Sequence, residues 1–474
     1  MVVGEMPEGV DMLVIGGGPG GYVAALAAAR HGRKVVLVDA DGEDGLGGVC
    51  VRVGCIPSKA LIELAGHVHG RTAWTVRGAP ATSESVVDLA SFQHWKEEVV
   101  AALNGGVRGL LQRAGVDVRR GWFRFTRTDQ GALVTDPDTP PQHLQFASCI
   151  LATGSRPIEL AALPFDGSRI VSSTDVLALE QLPSRVAVVG GGYVGLELGT
   201  ALAKLGSHLT IIEAGGSLLP AIQPAATAVV AKELERLGIT ALTNATAIRD
   251  DGRILTVANG DQTLELEVDM VAVCVGRHPN TDDLGLDALG VSVGDDGRFD
   301  VGPDLLVTPR VAAIGDVTPG PALAHKASAE GHVAAAVLSG HRARFDPAAI
   351  PAVVFSDPEI AQTGLDLQEA ATRGHDAHAA RFPLTASGRA RTIGDQAGFA
   401  EYVYDLASGV VLGATIVGAH ASELIAQATL AIEMAAHLED VAGTIHAHPT
   451  MSEAHHETAL LALGRPVHIT GSRR

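Results

Sequence analysis

Two of the four cysteines in this 474-residue chain, Cys50 and Cys55, lie five positions apart in Gly47-Gly48-Val49-Cys50-Val51-Arg52-Val53-Gly54-Cys55-Ile56-Pro57-Ser58-Lys59. Two thiols this close can store and release an electron pair by opening and closing a disulfide. Closure needs Cα atoms about 4.4–6.8 Å apart. Residues five apart lie roughly 8–9 Å apart on a helix and roughly 16 Å apart in a strand. If the two pair, the chain between them must bend, and Gly54 supplies backbone freedom for that. Pro57 suits the first turn of a helix that begins just after the glycine. Cys55 then sits near a helix N-terminus, where the dipole favours a thiolate. On this stretch alone, two buried free cysteines are the commoner reading. Cys149 and Cys274 fall inside apolar runs and read as core thiols.

A second candidate lies near the other end, in His446-Ala447-His448-Pro449-Thr450-Met451-Ser452-Glu453, followed by His455 and His456. Metal binding is a poor fit, because Pro449 follows the His446/His448 pair and no cysteine ligand is nearby. His448 with Glu453 five residues on reads better as a base and its orienting carboxylate. His455 and His456 read as surface-helix histidines.

Both candidates depend on the elements around them. Asp11–Ile15 is a short apolar strand, Gly16 to Gly21 a glycine turn, Tyr22–His31 an alanine-rich helix, and Lys34–Asp39 a strand that ends in an acid. Gly16, Gly18 and Gly21 fit GxGxxG, with Asp39 placed for a ribose hydroxyl. The pattern returns in Ser184–Val189, then Gly190, Gly192 and Gly195, a helix from Tyr193 to Leu205, and His208–Ile212 before Glu213. First glycine and terminal acid are equally spaced in both units. Either motif alone is weak; the repeat in full context points to two dinucleotide sites. Glu213 accepts from a 2′-hydroxyl and repels a 2′-phosphate, which favours NAD over NADP. Further strands are expected at Val116–Arg127, Ala132–Ala147, Val268–Val275 and Val311–Asp316, and a long helix at Phe92–Ala114. From about Ile350 the texture changes to that of an α+β domain without a glycine fingerprint.

Hydrophobic residues make up 46% and charged residues 19%, so the chain can bury large cores. A net charge of −19 argues against nucleic acid or an anionic membrane as partner. No apolar run reaches the length of a membrane span. Met1–Gly9 shows no basic region ahead of an apolar run, so a cytoplasmic location is expected.

With these pieces in order, the chain resembles the flavoprotein disulfide reductases, and among them most the dihydrolipoamide dehydrogenases. The resemblance covers nearly the whole length. It is carried by Gly16–Gly21, Gly47–Lys59, Ala152–Ser155, Gly190–Glu197, Gly276–Asn280, Ile314–Asp316, Leu323–Ala327, Asp357-Pro358-Glu359 and His446–Glu453. It implies an α/β chain with two Rossmann-like dinucleotide-binding domains, for FAD and NAD, plus a C-terminal α+β dimerisation domain. The expected boundaries are 1–156 and 279–347 for FAD, 157–278 for NAD, and 348–474 for the interface. Gly16, Gly18, Gly21 and Asp39 would hold the ADP half of FAD, and Asp316 its ribityl chain. Gly48, Lys59, Thr153, Gly154, Ser155, Gly276, Arg277 and Ala324 would be further cofactor contacts. Gly190, Gly192, Tyr193, Val194, Gly195 and Glu213 would bind NAD. Lys59 would pair with Glu197 near the flavin. Cys50 would meet substrate and Cys55 would face the flavin, the two forming a redox disulfide. His448, donated across a homodimer interface and oriented by Glu453, would move protons for a lipoyl-bearing protein. A related reductase of another disulfide, or an NADH diaphorase, is the alternative. Val49, Arg52, Phe123 near the adenine site, and Ser356-Asp357 depart from the family's usual residues.

Overall fold

The computed structural model describes residues 6–75, 77 and 87–470, so part of the polar passage after Arg71 lies outside the described residues. The first glycine unit belongs to a sheet whose central strands are all parallel, in the order Val311–Ala313, Gln142–Leu151, Glu8–Ile15, Val35–Asp39 and Asp117–Arg120. An antiparallel pair, Trp122–Arg127 and Gln130–Val134, joins through Gln142–Leu151. Such strands are buried on both faces and read as apolar runs: Met12, Leu13, Leu37, Ile150 and Leu151 are all completely buried. Helices Pro19–Arg30 and Ala324–Leu338 pack against each other, although three hundred residues of sequence lie between them. Gly331 permits this, since a Cβ there would stand 2.7 Å from the Gly20 carbonyl.

The second unit forms its own parallel sheet, in the order Thr240–Leu242, His208–Ile212, Arg185–Val189, Met270–Val273 and Ile170–Val171. The expected strand Val268–Val275 is trimmed to Met270–Val273. Cys274 therefore lies just beyond the strand end, half-buried by residue but packed against the apolar core, as its place in an apolar run implies. After residue 350 an antiparallel sheet of five strands carries the helices Ala421–Glu433, Leu438–Gly443 and Glu453–Ala462.

Phe123 lies in the strand Trp122–Arg127 rather than in a turn. Strand alternation turns Phe123 and Phe125 inward, where Phe123 meets Phe125 edge-on at 5.1 Å, and it is 4% exposed. Its neighbour Trp122, 61% exposed, is the residue that faces outward. The long helix runs Leu89–Arg113, where Asp88 caps it by accepting from the Ser91 amide.

Candidate active site

The cysteine stretch bends as the pair requires. Gly48–Arg52 is a short helix bearing Cys50, the chain turns at Val53 and Gly54, and Cys55 opens the helix Cys55–Thr75. Gly54 is needed for space: a Cβ there would sit 2.8 Å from the Val49 carbonyl oxygen, and its φ is not left-handed. The left-handed residues are Gly47 (φ 87°) and Gly48 (φ 58°), which lay the stretch against the first glycine turn. Gly47 donates its amide to the Gly17 carbonyl at 2.9 Å, and a Cβ on Gly48 would stand 2.6 Å from the Gly18 Cα. Both cysteines are thiols, Cys50 half-buried and Cys55 exposed. A hydrogen bond between the sulfurs splits them. It raises Cys50, with burial adding to the shift, and lowers Cys55 to about 7, with the nearby Lys59 charge acting in the same direction.

Lys59, one turn into the same helix, places its Nζ 2.7 Å from Glu197 Oε2 in the second unit's helix Tyr193–Leu205. Glu197 is 4% exposed, and its other oxygen accepts the Phe355 amide at 2.9 Å. The Phe355 ring lies beneath Lys59 Nζ, 4.4 Å from the centroid. Phe355 was not singled out by the sequence, since nothing local marks a contact that crosses three parts of the chain. Tyr193, one turn before Glu197, opens the second glycine helix, and burial raises its phenol above the usual range.

The two glycine units match in hydrogen bonding as well as in pattern. Gly17 donates to Asp39 Oδ2 at 2.8 Å, and Gly191 donates to Glu213 Oε2 at 2.7 Å. Gly16 and Gly190 have φ near 104° and 111°. Gly21 and Gly195 let their helices pack on the turn, because a Cβ would come within 1.8 and 2.1 Å of the Gly16 and Gly190 carbonyls. Gly18 and Gly192 differ: a Cβ meets only the Gly48 Cα at 4.0 Å in the first case and nothing within 4 Å in the second. Each is the N-cap of its helix, with no side chain capping the free amides. An uncapped helix N-terminus beside open space fits a pyrophosphate.

Asp316 accepts from the Ser155 hydroxyl at 2.5 Å, and Arg277 donates to the same hydroxyl at 2.8 Å. Thr153 and Asn280 exchange hydrogen bonds of 2.7 and 2.9 Å, holding the Thr153-Gly154 turn, where Gly154 has φ 68°. Behind Asp316, the buried pair Lys326–Glu330 at 2.8 Å grips Gly315 on both sides. Glu330 accepts its amide at 2.6 Å and Lys326 reaches its carbonyl at 3.2 Å. Ala324 begins the helix that carries this pair, and Val194 follows Tyr193 in the second glycine helix. Gly276 has φ 124° and leads into the strand Arg277–Pro279, which pairs with Ser155–Pro157. Of the departures, Arg52 pairs with Asp41 at 2.7 Å, Val49 is exposed, and Asp357 pairs with Lys204 at 2.5 Å.

His448 Nδ1 lies 2.8 Å from Glu453 Oε1, and the other Glu453 oxygen accepts the Thr450 amide at 2.8 Å. The His448 ring is 79% exposed and makes no hydrogen bond to the cysteine stretch of its own chain. His455 is corrected: it is not on a surface but 1% exposed, bonded at both ring nitrogens. His456 is half-buried. The apolar spacing of that helix turns a broad face inward, which a reading of histidines as polar residues misses. Among the described residues, no group of three His, Cys, Asp or Glu side chains could hold a metal ion, and no helix is long and apolar enough to cross a membrane.

The family model for pyridine nucleotide-disulphide oxidoreductases matches residues 10–331, and the model for the dimerisation domain of the same proteins matches residues 350–459. The chain belongs to the pyridine nucleotide-disulphide oxidoreductase family. It is 44% identical to the dihydrolipoyl dehydrogenase of Geobacillus stearothermophilus, over 99% of both chains. It is equally identical, with the same coverage of both chains, to the dihydrolipoyl dehydrogenase of Halobacterium salinarum. Among solved structures it resembles LpdA from Mycobacterium tuberculosis, with a TM-score of 0.86 and 26% identity over 95% of this chain and 99% of that one. The flavoprotein disulfide reductase RclA from Escherichia coli, 24% identical with a TM-score of 0.84, shares the fold. As a disulphide oxidoreductase of this family, the chain joins two matched nucleotide units to one cysteine pair.

Proposed function

We propose that this oxidoreductase is a dihydrolipoyl dehydrogenase that uses FAD and NAD and works as a homodimer on a lipoyl-bearing protein. The observation that carries it is the unequal pair Cys50/Cys55, pressed against the first glycine turn and tied through Lys59 and Glu197 to the second glycine helix. The relatives named above, similar from end to end, support the same substrate. Gly16, Gly18, Gly21, Asp39, Gly48, Ser155 and Asp316 would hold FAD. Gly190, Gly192, Gly195 and Glu213 would hold NAD, with the Glu213 carboxylate favouring a 2′-hydroxyl. When bound, FAD accepts the electron pair of the dithiol and passes a hydride to NAD.

In the oxidised enzyme Cys50 and Cys55 form the disulfide. His448 takes the proton of one dihydrolipoyl thiol, and the resulting thiolate attacks Cys50 Sγ. The Cys50–Cys55 bond breaks and Cys55 leaves as the thiolate, which its low pKa favours. The second substrate thiol attacks the mixed disulfide, closes the lipoyl ring and releases Cys50, and its proton passes through His448 to that sulfur. The high pKa of Cys50 suits the thiol it becomes. Glu453 holds the His448 tautomer with Nε2 free for the substrate. Because His448 bonds among the described residues only to Glu453, the partner subunit's cysteine pair is the natural target.

Replacing Cys50 with serine tests the reading. Dihydrolipoamide-to-NAD turnover should vanish while FAD stays bound; retained turnover overturns it.

A further inference from the structure

The helix Glu453–Ala462 presents Glu453 to His448 from its first residue, yet no side chain caps that helix: Ser452 at the N-cap makes no capping bond. Both Glu453 hydrogen bonds go to residues within the preceding turn, His448 and Thr450. A small rotation of the helix start would break the line to His448. The turn is tied within itself, since Thr450 Oγ1 donates to the Ala447 carbonyl at 2.7 Å and lies 2.8 Å from Ser452 Oγ, so what the helix buries sets its position against the rest of the domain.

Two residues after Glu453, His455 is buried and bonded on both sides. Its Nε2 is 3.0 Å from the Leu424 carbonyl, in the helix Ala421–Glu433. Its Nδ1 is 2.7 Å from the hydroxyl of Tyr402, a fully enclosed residue in the strand Phe399–Asp405. A carbonyl only accepts, so Nε2 carries the hydrogen, Nδ1 accepts, and the Tyr402 hydroxyl donates. One tautomer satisfies both bonds. The groups facing His455 are thus Tyr402 from the sheet, Leu424 from the neighbouring helix, and the His446 ring stacked at 6.5 Å from the loop. Those facing Glu453 are His448 and, from the chain end, His468. We propose that His455 is a positioning residue, which braces the helix start between the Tyr402 hydroxyl and the Leu424 carbonyl so that Glu453 stays aimed at His448.

The proposal rests on the reading of His448 as the acid/base, so the test carries a control for that reading. In the full-length FAD-loaded enzyme, Tyr402→Phe keeps the ring and removes only the donor, and His455→Phe removes both bonds. Each should lower kcat for dihydrolipoamide with NAD about tenfold through misplacement of the base. NADH-to-dye activity, which needs no thiol proton transfer, should stay within about twofold. KM for dihydrolipoamide should stay within about twofold, so that the loss falls on kcat. His455→Gln, which can accept from Tyr402 and donate to Leu424, should restore kcat. An undiminished kcat in His455→Phe, or equal loss of both activities, overturns the proposal. The control is His448→Gln: if it keeps dihydrolipoamide turnover, the acid/base reading fails; if it is inactive, an undiminished kcat in His455→Phe counts against His455 alone.

Discussion

Cys55 opens a helix and lies near the Lys59 charge, while Cys50 donates its hydrogen bond toward Cys55 from a half-buried position. The two sulfurs therefore titrate far apart. Burial pushes Cys149 up as well, and Cys274 to about 12. In the dithiol protein, ultraviolet thiolate absorbance should show one thiolate per chain forming as pH rises through about 7. Two thiolates near that pH would contradict the split. Lys59→Met should move that midpoint upward, since the ammonium stabilises the thiolate, and should cost about 1–3 kcal/mol of stability by leaving the buried Glu197 with only the Phe355 amide as partner. Chemical denaturation would measure the second effect. His455 links pH to stability too. Burial lowers its pKa to about 4, below the unfolded value, so the unfolded chain binds more protons between the two. Stability should be undiminished above about pH 6.5 and fall as pH drops toward 4; His455→Phe should flatten that part of the profile.

Each glycine helix carries two kinds of glycine, and they should fail differently. A side chain at Gly192 enters open space, so Gly192→Val should leave the melting temperature nearly unchanged while weakening NAD binding and sparing FAD. Gly195→Ala forces a methyl against the Gly190 carbonyl and should destabilise the fold by about 1–3 kcal/mol. Calorimetry with nucleotide titration separates the two, and equal melting temperatures for both variants would contradict the packing role of Gly195. The same logic applies in the first unit, where Gly21 packs on Gly16 and a Cβ on Gly18 meets only the Gly48 Cα at 4.0 Å. Asp39 and Glu213 each take the amide of the second glycine, so the acid also shapes the turn in which it would meet a ribose.

At the scale of the molecule, the donor of protons and the cysteine pair belong to opposite ends of the chain. His448 and Glu453 form their pair without touching the cysteine stretch of their own subunit, and the dimerisation-domain match covers both. If the proposed homodimer shares its sites, Cys50→Ser and His448→Gln chains, each inactive alone, should complement when refolded together. Random pairing gives half mixed dimers with one intact site of two, so about a quarter of wild-type dihydrolipoamide activity should return. No recovery would place His448 with its own chain's cysteines.

Local physics made much of this legible beforehand. Glycine fingerprints, apolar strands and strand-end acids follow from backbone sterics within thirty residues, and the two nucleotide units formed with the matched geometry their repeat implied. The helix starting at Cys55 followed from Gly54 and Pro57, and the Cys50/Cys55 bend was required only if the two cysteines work as a pair. Other features depended on contacts between distant segments. Phe355 under Lys59, the Lys326–Glu330 clasp on Gly315, the core placement of Phe123 and the burial of His455 each join parts that no local pattern connects. Residue type and spacing determine what a short segment can do. Whether a histidine meets water or a tyrosine hydroxyl is decided only when the sheet and helices close around it.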